Sequence, residues 1–144
     1  MLFLTSREPI FVSPKESVVH WTGWVVLTLV VIIGGWILFD GLHALVSGDF
    51  VTPNSGAHAG QLGPWASLLS TVGLDPRSML IKLVFVGYAS AYLAAGITFV
   101  ARVPGAWWAL LILAILGLWY LPFGTVANLA IIALLLAPAL RTTT

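Results

Sequence analysis

The sequence predicts an all-α integral membrane protein, a four-helix bundle with a short interfacial helix in the loop between its first two helices. Composition is the first indication: of the 144 residues, 60 % are hydrophobic and 8 % are charged. Soluble domains are about 45–50 % apolar and about 25 % charged. Long apolar stretches separated by proline and glycine are the second indication. We interpret the whole chain as one membrane domain.

The first apolar stretch covers residues 21–46, and the second covers residues 79–101. Each can supply the about 20 helical residues that a bilayer core requires. Asp75-Pro76 precedes the second stretch and is typical of a helix start, because aspartate caps free N–H groups and proline lacks one. We therefore expect two long spanning helices, the second capped by Asp75.

The third and fourth stretches, residues 104–121 and 124–140, are at the short end of the spanning range. Pro122 and Gly124 separate them by so few residues that a tight helical hairpin is predicted. These two helices would cross a bilayer only with little tilt.

Residues 47–78 form the one sizeable hydrophilic connection, which joins the first and second spans. Within this outer loop, residues 64–72 (PWASLLSTV) are amphipathic and predict a short helix along the membrane interface. A re-entrant loop is the alternative.

Aromatic side chains cluster at the ends of the predicted spans, where tryptophan and tyrosine anchor helices in the headgroup region. The predicted interfacial anchors are Trp21, Trp24, Trp107, Trp108, Trp119 and Tyr120.

Lysine and arginine are enriched on the cytoplasmic side of membrane proteins. Four basic residues fall on the side of both termini and two on the side of the outer loop: Arg7, Lys15, Arg102 and Arg141 against Arg77 and Lys82. We expect a multi-pass protein of the bacterial inner membrane with both termini in the cytoplasm.

Ionisable side chains inside spans are costly, about 2.5–3.5 kcal/mol for Asp or Lys at the centre. Asp40 and His43 lie three residues apart on one helix face, near the outer end of the first span. Lys82 lies near the same boundary in the second helix. We expect this polar cluster to form an Asp40–Lys82 ion pair with His43 beside it. Two alternatives are a Lys82 side chain that reaches the headgroups and a proton- or ion-handling site.

Small residues recur along the second span and predict a helix-packing seam, where a neighbouring backbone approaches closely. The seam consists of Gly87, Ser90, Ala91, Ala94 and Ala95. Tyr88 and Tyr92 lie on the opposite face at mid-helix, where their hydroxyls need acceptors. We interpret them as evidence that a second protein or a cofactor covers that face.

Several function classes find no support in the residues. The chain has no cysteine, its net charge is +1, and it contains no G-x-S-x-G motif, so thiol chemistry, nucleic-acid binding and a serine hydrolase are not expected. No pair of residues has metal-ligand spacing, and no catalytic residue is identified. His20 and His43 are roughly 35 Å apart on an ideal helix and cannot share one haem, although a partner subunit could supply a second ligand.

The closing hairpin, residues 118–136 (LWYLPFGTVANLAIIALLL), resembles that of small four-helix bacterial membrane proteins of uncharacterised or DoxX-like type. The first span, with Gly35 and Gly41-Leu42, resembles their opening helix. The resemblance implies a four-helix membrane fold, and no functional residue is carried over from it.

The expected function is that of a structural or accessory subunit of a larger membrane complex, of bioenergetic type, without catalytic activity of its own. Its expected partners are the lipid bilayer and larger membrane subunits or a second copy, and no cofactor is expected. One alternative is a small oligomeric ion- or proton-coupled transporter or channel that uses Asp40, His43 and Lys82. A further alternative is a haem- or quinone-binding anchor of an oxidoreductase.

Overall fold

The computed structural model describes the backbone of residues 14–138 and the side chains of residues 21–138. This part of the chain is all-helical and contains no strand, which confirms the predicted helical class. Its helices are α1 (Pro14–Ser47), α2 (Pro64–Thr71), α3 (Met79–Val100), α4 (Ala106–Leu116) and α5 (Phe123–Leu136). A 3-10 turn, Gly117–Trp119, continues α4.

Two of these helices are long and apolar enough to cross a membrane: Trp21–Ser47 within α1, and α3. The 22 residues of α3 extend about 33 Å, slightly more than the about 30 Å of a bilayer core. Ala106–Trp119 and Phe123–Leu136 are apolar but shorter, about 21 Å each. The helices in the third and fourth predicted stretches are therefore shorter than those stretches, while α1 begins earlier than predicted.

The N-terminus of α3 differs from the prediction. Ser78 is the N-cap, and its side chain accepts a hydrogen bond from the Ile81 amide. Asp75 instead accepts from the Arg77 amide at 2.9 Å in the turn that precedes the helix. Lys82 consequently lies in the first turn of α3.

The two long helices pack against each other along their length and run antiparallel, with α4 and α5 completing a cycle in which α5 returns to α1. Glycines allow this close approach. A Cβ atom at Gly41 would lie 2.9 Å from the Phe85 Cβ, and one at Gly96 would lie 2.7 Å from the Val30 Cγ1. Small residues at these crossings let the backbones approach more closely than larger side chains would permit.

The core has two parts. One lies among α1, α3, α4 and α5 and includes Val30, Tyr92, Leu110 and Ile131. The other lies at the end where α1 leads into the connecting loop, and it is rich in aromatic rings. This second part supports the candidate site.

Candidate functional site

Three polar side chains converge on loop residues 48–51, immediately after α1. Asp40 accepts a 2.7 Å hydrogen bond from the Val51 amide, and Lys82 donates to the Gly48 carbonyl. The Nδ1 atom of His43 lies 3.1 Å from the Asp49 carbonyl. The predicted cluster therefore meets at one loop segment, with each member bound to a different backbone group.

The expected Asp40–Lys82 ion pair is not formed. Among the described side chains, the one ion pair joins Arg77 to Asp49. Asp40 and Lys82 bond instead to backbone groups of the loop segment, because buried backbone groups need hydrogen-bond partners. Asp40 and Lys82 are only 4 % and 9 % exposed, whereas His43 is exposed. The first two side chains hold the loop against the ends of α1 and α3.

Asp49 and Arg77 form a second attachment that the sequence analysis missed. The Arg77 Nε lies 2.9 Å from both carboxylate oxygens of Asp49, and its guanidinium also donates to the Gly60 carbonyl at 3.0 Å. Partial burial acts to raise the pKa of Asp49, but hydrogen bonds from Arg77 and the Phe50 amide, together with nearby positive charge, outweigh it and lower that pKa. No spacing rule pairs two loop residues so far apart in sequence, so no local signal could have identified them.

Aromatic rings fill the space beneath this segment. The Phe50 ring is centred 4.7 Å from that of Phe85 and 5.2 Å from that of Trp65. Trp119 and Tyr120 pack against Phe85 from the end of α4. Because these rings come from the loop, α2, α3 and the closing hairpin, they fix the loop relative to the helices.

An open cavity of about 560 Å³ lies next to Asp40. Its walls are predominantly apolar and come from α1, the connecting loop, the start of α2 and the hairpin turn. Trp36 and Tyr120 also line it, and the Trp36 indole N–H donates to the Tyr120 hydroxyl at 3.1 Å. This volume lies within the about 300–1,000 Å³ typical of small-molecule sites.

The predicted interfacial anchors divide into two groups. Trp21, Trp24 and Trp108 are exposed, as an anchor requires. Trp107 is a core residue, only 8 % exposed, and its indole N–H donates to the Leu135 carbonyl at 3.1 Å. Tyr120 is likewise buried, and Trp119 is half-buried. Other parts of the chain cover the rings of Trp107 and Tyr120, so neither ring is presented at the surface of the described residues.

The predicted packing seam faces away from the other helices. Gly87, Ser90, Ala91 and Ala94 are exposed, and only Ala95 is buried. A Cβ atom at Gly87 would meet nothing within 4 Å. The seam therefore does not join helices of this chain, which pack through the opposite face of α3.

The buried face of α3 carries the two tyrosines, and the interpretation that an external partner covers them is wrong. Tyr92 is fully buried and donates to the Asn128 side chain at 2.6 Å. Tyr88 donates to the Leu113 carbonyl at 2.8 Å. Both hydroxyls find acceptors within this chain, on segments remote in sequence.

Within the described residues, no group of three His, Asp or Glu side chains could hold a metal ion. His58 lies in the loop with its Nδ1 atom 3.1 Å from the Gln61 side chain. The side chain of His20 lies outside the described residues, as do those of Arg7, Lys15 and Arg141, on which the expected orientation depends.

Comparisons with known proteins find no relative: no family model matches the chain, and no curated protein or solved structure matches it. The likeness of the closing hairpin to DoxX-like proteins stays a prediction.

Proposed function

We propose that this chain is a non-catalytic accessory subunit, a multi-pass membrane protein that packs against a larger membrane complex through the outward face of α3. The observation that supports the proposal is the difference in composition between the inward and outward faces of that helix. On the inward face, Lys82, Tyr88 and Tyr92 form hydrogen bonds within the chain. Its outward face exposes small residues at the surface of the chain.

The outward face, defined here by Gly87, Ser90, Ala91 and Ala94, has the composition of a helix-packing surface in lipid. Water supplies no hydrophobic drive inside a bilayer, so close van der Waals contact between backbones contributes much of the association free energy. Ser90 bonds its hydroxyl to the Val86 carbonyl at 2.7 Å, which leaves the surface without an unsatisfied polar group there.

In this proposal α1 and α3 cross the inner membrane and the shorter α4–α5 hairpin completes a four-helix bundle in a locally thin bilayer. The outer loop with Arg77 and Asp49 then faces the periplasm, and both termini lie in the cytoplasm. Arg102, in the turn between α3 and α4, lies at the cytoplasmic end.

The transporter alternative has less support. A path for ions needs several exchangeable polar groups, whereas Lys82 is bound to the Gly48 carbonyl and, among the described residues lining the cavity, Asp40 alone has a carboxyl group. The haem- or quinone-binding alternative has no contact that favours it, since the His43 ring lies against the Asp49 carbonyl and the Ser47 hydroxyl.

The test is co-purification of the tagged full chain from its own membranes in a mild detergent. Larger membrane subunits should accompany the wild-type chain. Gly87→Leu and Ala91→Leu should each lower the yield of those subunits several-fold, because a bulky side chain prevents close helix contact.

Ala109→Leu is the matched control, since Ala109 is exposed on α4, away from the proposed surface. It should leave co-purification intact. None of the three variants should unfold at a lower temperature than the wild-type chain. Recovery of the wild-type chain as a free monomer or self-dimer only, or an equal loss in the Ala109→Leu variant, would contradict the proposal.

A further inference from the structure

The cavity next to Asp40 contains a buried carboxylate with spare bonding capacity. Among the described residues lining the cavity, Asp40 is the one with a carboxyl group. One of its oxygens accepts from Val51, and the other receives no hydrogen bond from the described residues. Asp40 is also 4 % exposed, so bulk water solvates it poorly.

The nearby cations are engaged elsewhere. The Lys82 ammonium donates to the Gly48 carbonyl, and Arg77 pairs with Asp49. His43 is exposed and lies against the Asp49 carbonyl. An ionised carboxylate that is buried without forming an ion pair is energetically unfavourable, and a cation that entered the cavity would offset that cost.

The other residues that line the cavity indicate which chemical group the ligand must carry besides its cation. Ile33, Trp65 and Leu121 present apolar surface, and free energy is gained when an apolar group displaces water from such a surface. Trp36 and Tyr120 add aromatic rings beside the carboxylate, and aromatic faces attract ammonium groups. A carboxylate, aromatic faces and an apolar wall together match an amine that carries a hydrophobic body.

We infer that this cavity binds a small amphiphilic amine, with its ammonium group at the Asp40 carboxylate and its apolar body along Trp65 and Leu121. A divalent metal ion is a poor occupant, because it requires several oxygen ligands and no group of three ligating side chains exists in residues 21–138. No residue of α3 lines the cavity, so the inference does not depend on docking through the outward face of that helix.

The experiment compares three probes with one body and different heads: phenylbutylamine, phenylbutanol and phenylbutyrate. Binding to the detergent-solubilised full chain is measured by equilibrium dialysis, with binding to empty micelles subtracted. The amine should bind at least ten-fold more tightly than the alcohol, and the carboxylate should bind more weakly than either.

Asp40→Asn removes the charge but keeps an oxygen that can accept from the Val51 amide. Binding of the amine should fall to the level of the alcohol, while binding of the alcohol stays unchanged. Equal binding of amine and alcohol by the wild-type chain, or full retention of amine binding in Asp40→Asn, would overturn the inference.

A second variant separates the cavity from the rest of the surface. Ile32 lines the cavity, so Ile32→Trp should narrow it and weaken the amine and the alcohol alike. Ile112→Trp, at an exposed position on α4 outside the cavity, should change neither. If Ile32→Trp leaves both affinities unchanged, the probes bind elsewhere and the assignment is wrong.

Discussion

Tyr92 on α3 donates a 2.6 Å hydrogen bond to the side chain of Asn128 on α5, and both residues are completely buried. Asn128 in turn donates to the Gly124 carbonyl at 2.7 Å. A Cβ atom at Gly117 would come within 2.7 Å of the Asn128 Nδ2. This hydrogen bond therefore joins α3 to α5, and the end of α4 packs closely against it at Gly117.

Tyr92→Phe should lower the free energy of unfolding by about 1–3 kcal/mol, because the Asn128 oxygen is left buried without a donor. Thermal unfolding in detergent measures the change. Asn128→Leu combined with Tyr92→Phe should cost less than the sum of the single changes, since the two side chains are coupled. Strict additivity would show that the hydrogen bond does not contribute to stability.

Gly41→Ala should destabilise the fold by about 1–3 kcal/mol through overpacking, because the added methyl would meet the Phe85 Cβ and the Val86 backbone. Gly35→Ala is the matched control on the same helix, where a Cβ atom meets nothing within 4 Å. It should be neutral or stabilising, since alanine favours helix over glycine by about 0.5–1 kcal/mol. Equal unfolding temperatures for the two variants would contradict the close α1–α3 crossing.

The Asp49–Arg77 pair predicts a pH dependence. Because the pKa of Asp49 is lower in the folded chain, its contribution to stability is present above the unfolded pKa and is lost as the pH falls through the folded pKa. The contribution is small, since both side chains are about half exposed. NMR titration of the Asp49 carboxyl carbon measures the effect, and Arg77→Gln should raise that pKa. An unchanged titration curve in Arg77→Gln would refute the assignment.

The Asp40 side chain should hold the backbone of the loop that follows α1 in place through its hydrogen bond with the Val51 amide. Asp40→Ala removes the acceptor of the Val51 amide, so hydrogen exchange at Val51 should accelerate at least ten-fold. Asp40→Asn keeps an acceptor oxygen and should exchange more slowly than the alanine variant. Exchange rates equal to wild type in Asp40→Ala would mean that this bond does not hold the loop.

Helical character and the positions of the helices followed from local pattern. Proline at the start of α2 and the apolar run of α3 were visible in the sequence. The helix α2 begins at the predicted Pro64, whereas α3 begins at Met79, three residues after the start that an Asp75 cap would give. The three side chains of Asp40, His43 and Lys82 contact one loop segment at the end of α1 and the start of α3.

The hydrogen-bond partners of buried polar side chains could not be predicted, because each such bond depends on contacts between segments remote in sequence. The acceptors of Tyr88 and Tyr92 lie on other helices, so mid-helix position alone suggested an external partner. The small residues of α3 could be identified from the sequence, but only the packing of the helices shows that they face outward. The cavity is formed by four separate segments and has no local motif.

The most direct test of the account is whether α3 crosses a bilayer, and the absence of cysteine from the chain makes single-cysteine labelling unambiguous. Ala91→Cys places a thiol on the exposed face near the middle of α3, and Ala59→Cys places one in the outer loop. In proteoliposomes treated with a membrane-impermeant maleimide, Ala59→Cys should react in the molecules whose loop faces the bulk solution, and Ala91→Cys should not react until detergent is added. Rapid labelling of Ala91→Cys in intact proteoliposomes would contradict a membrane-spanning α3.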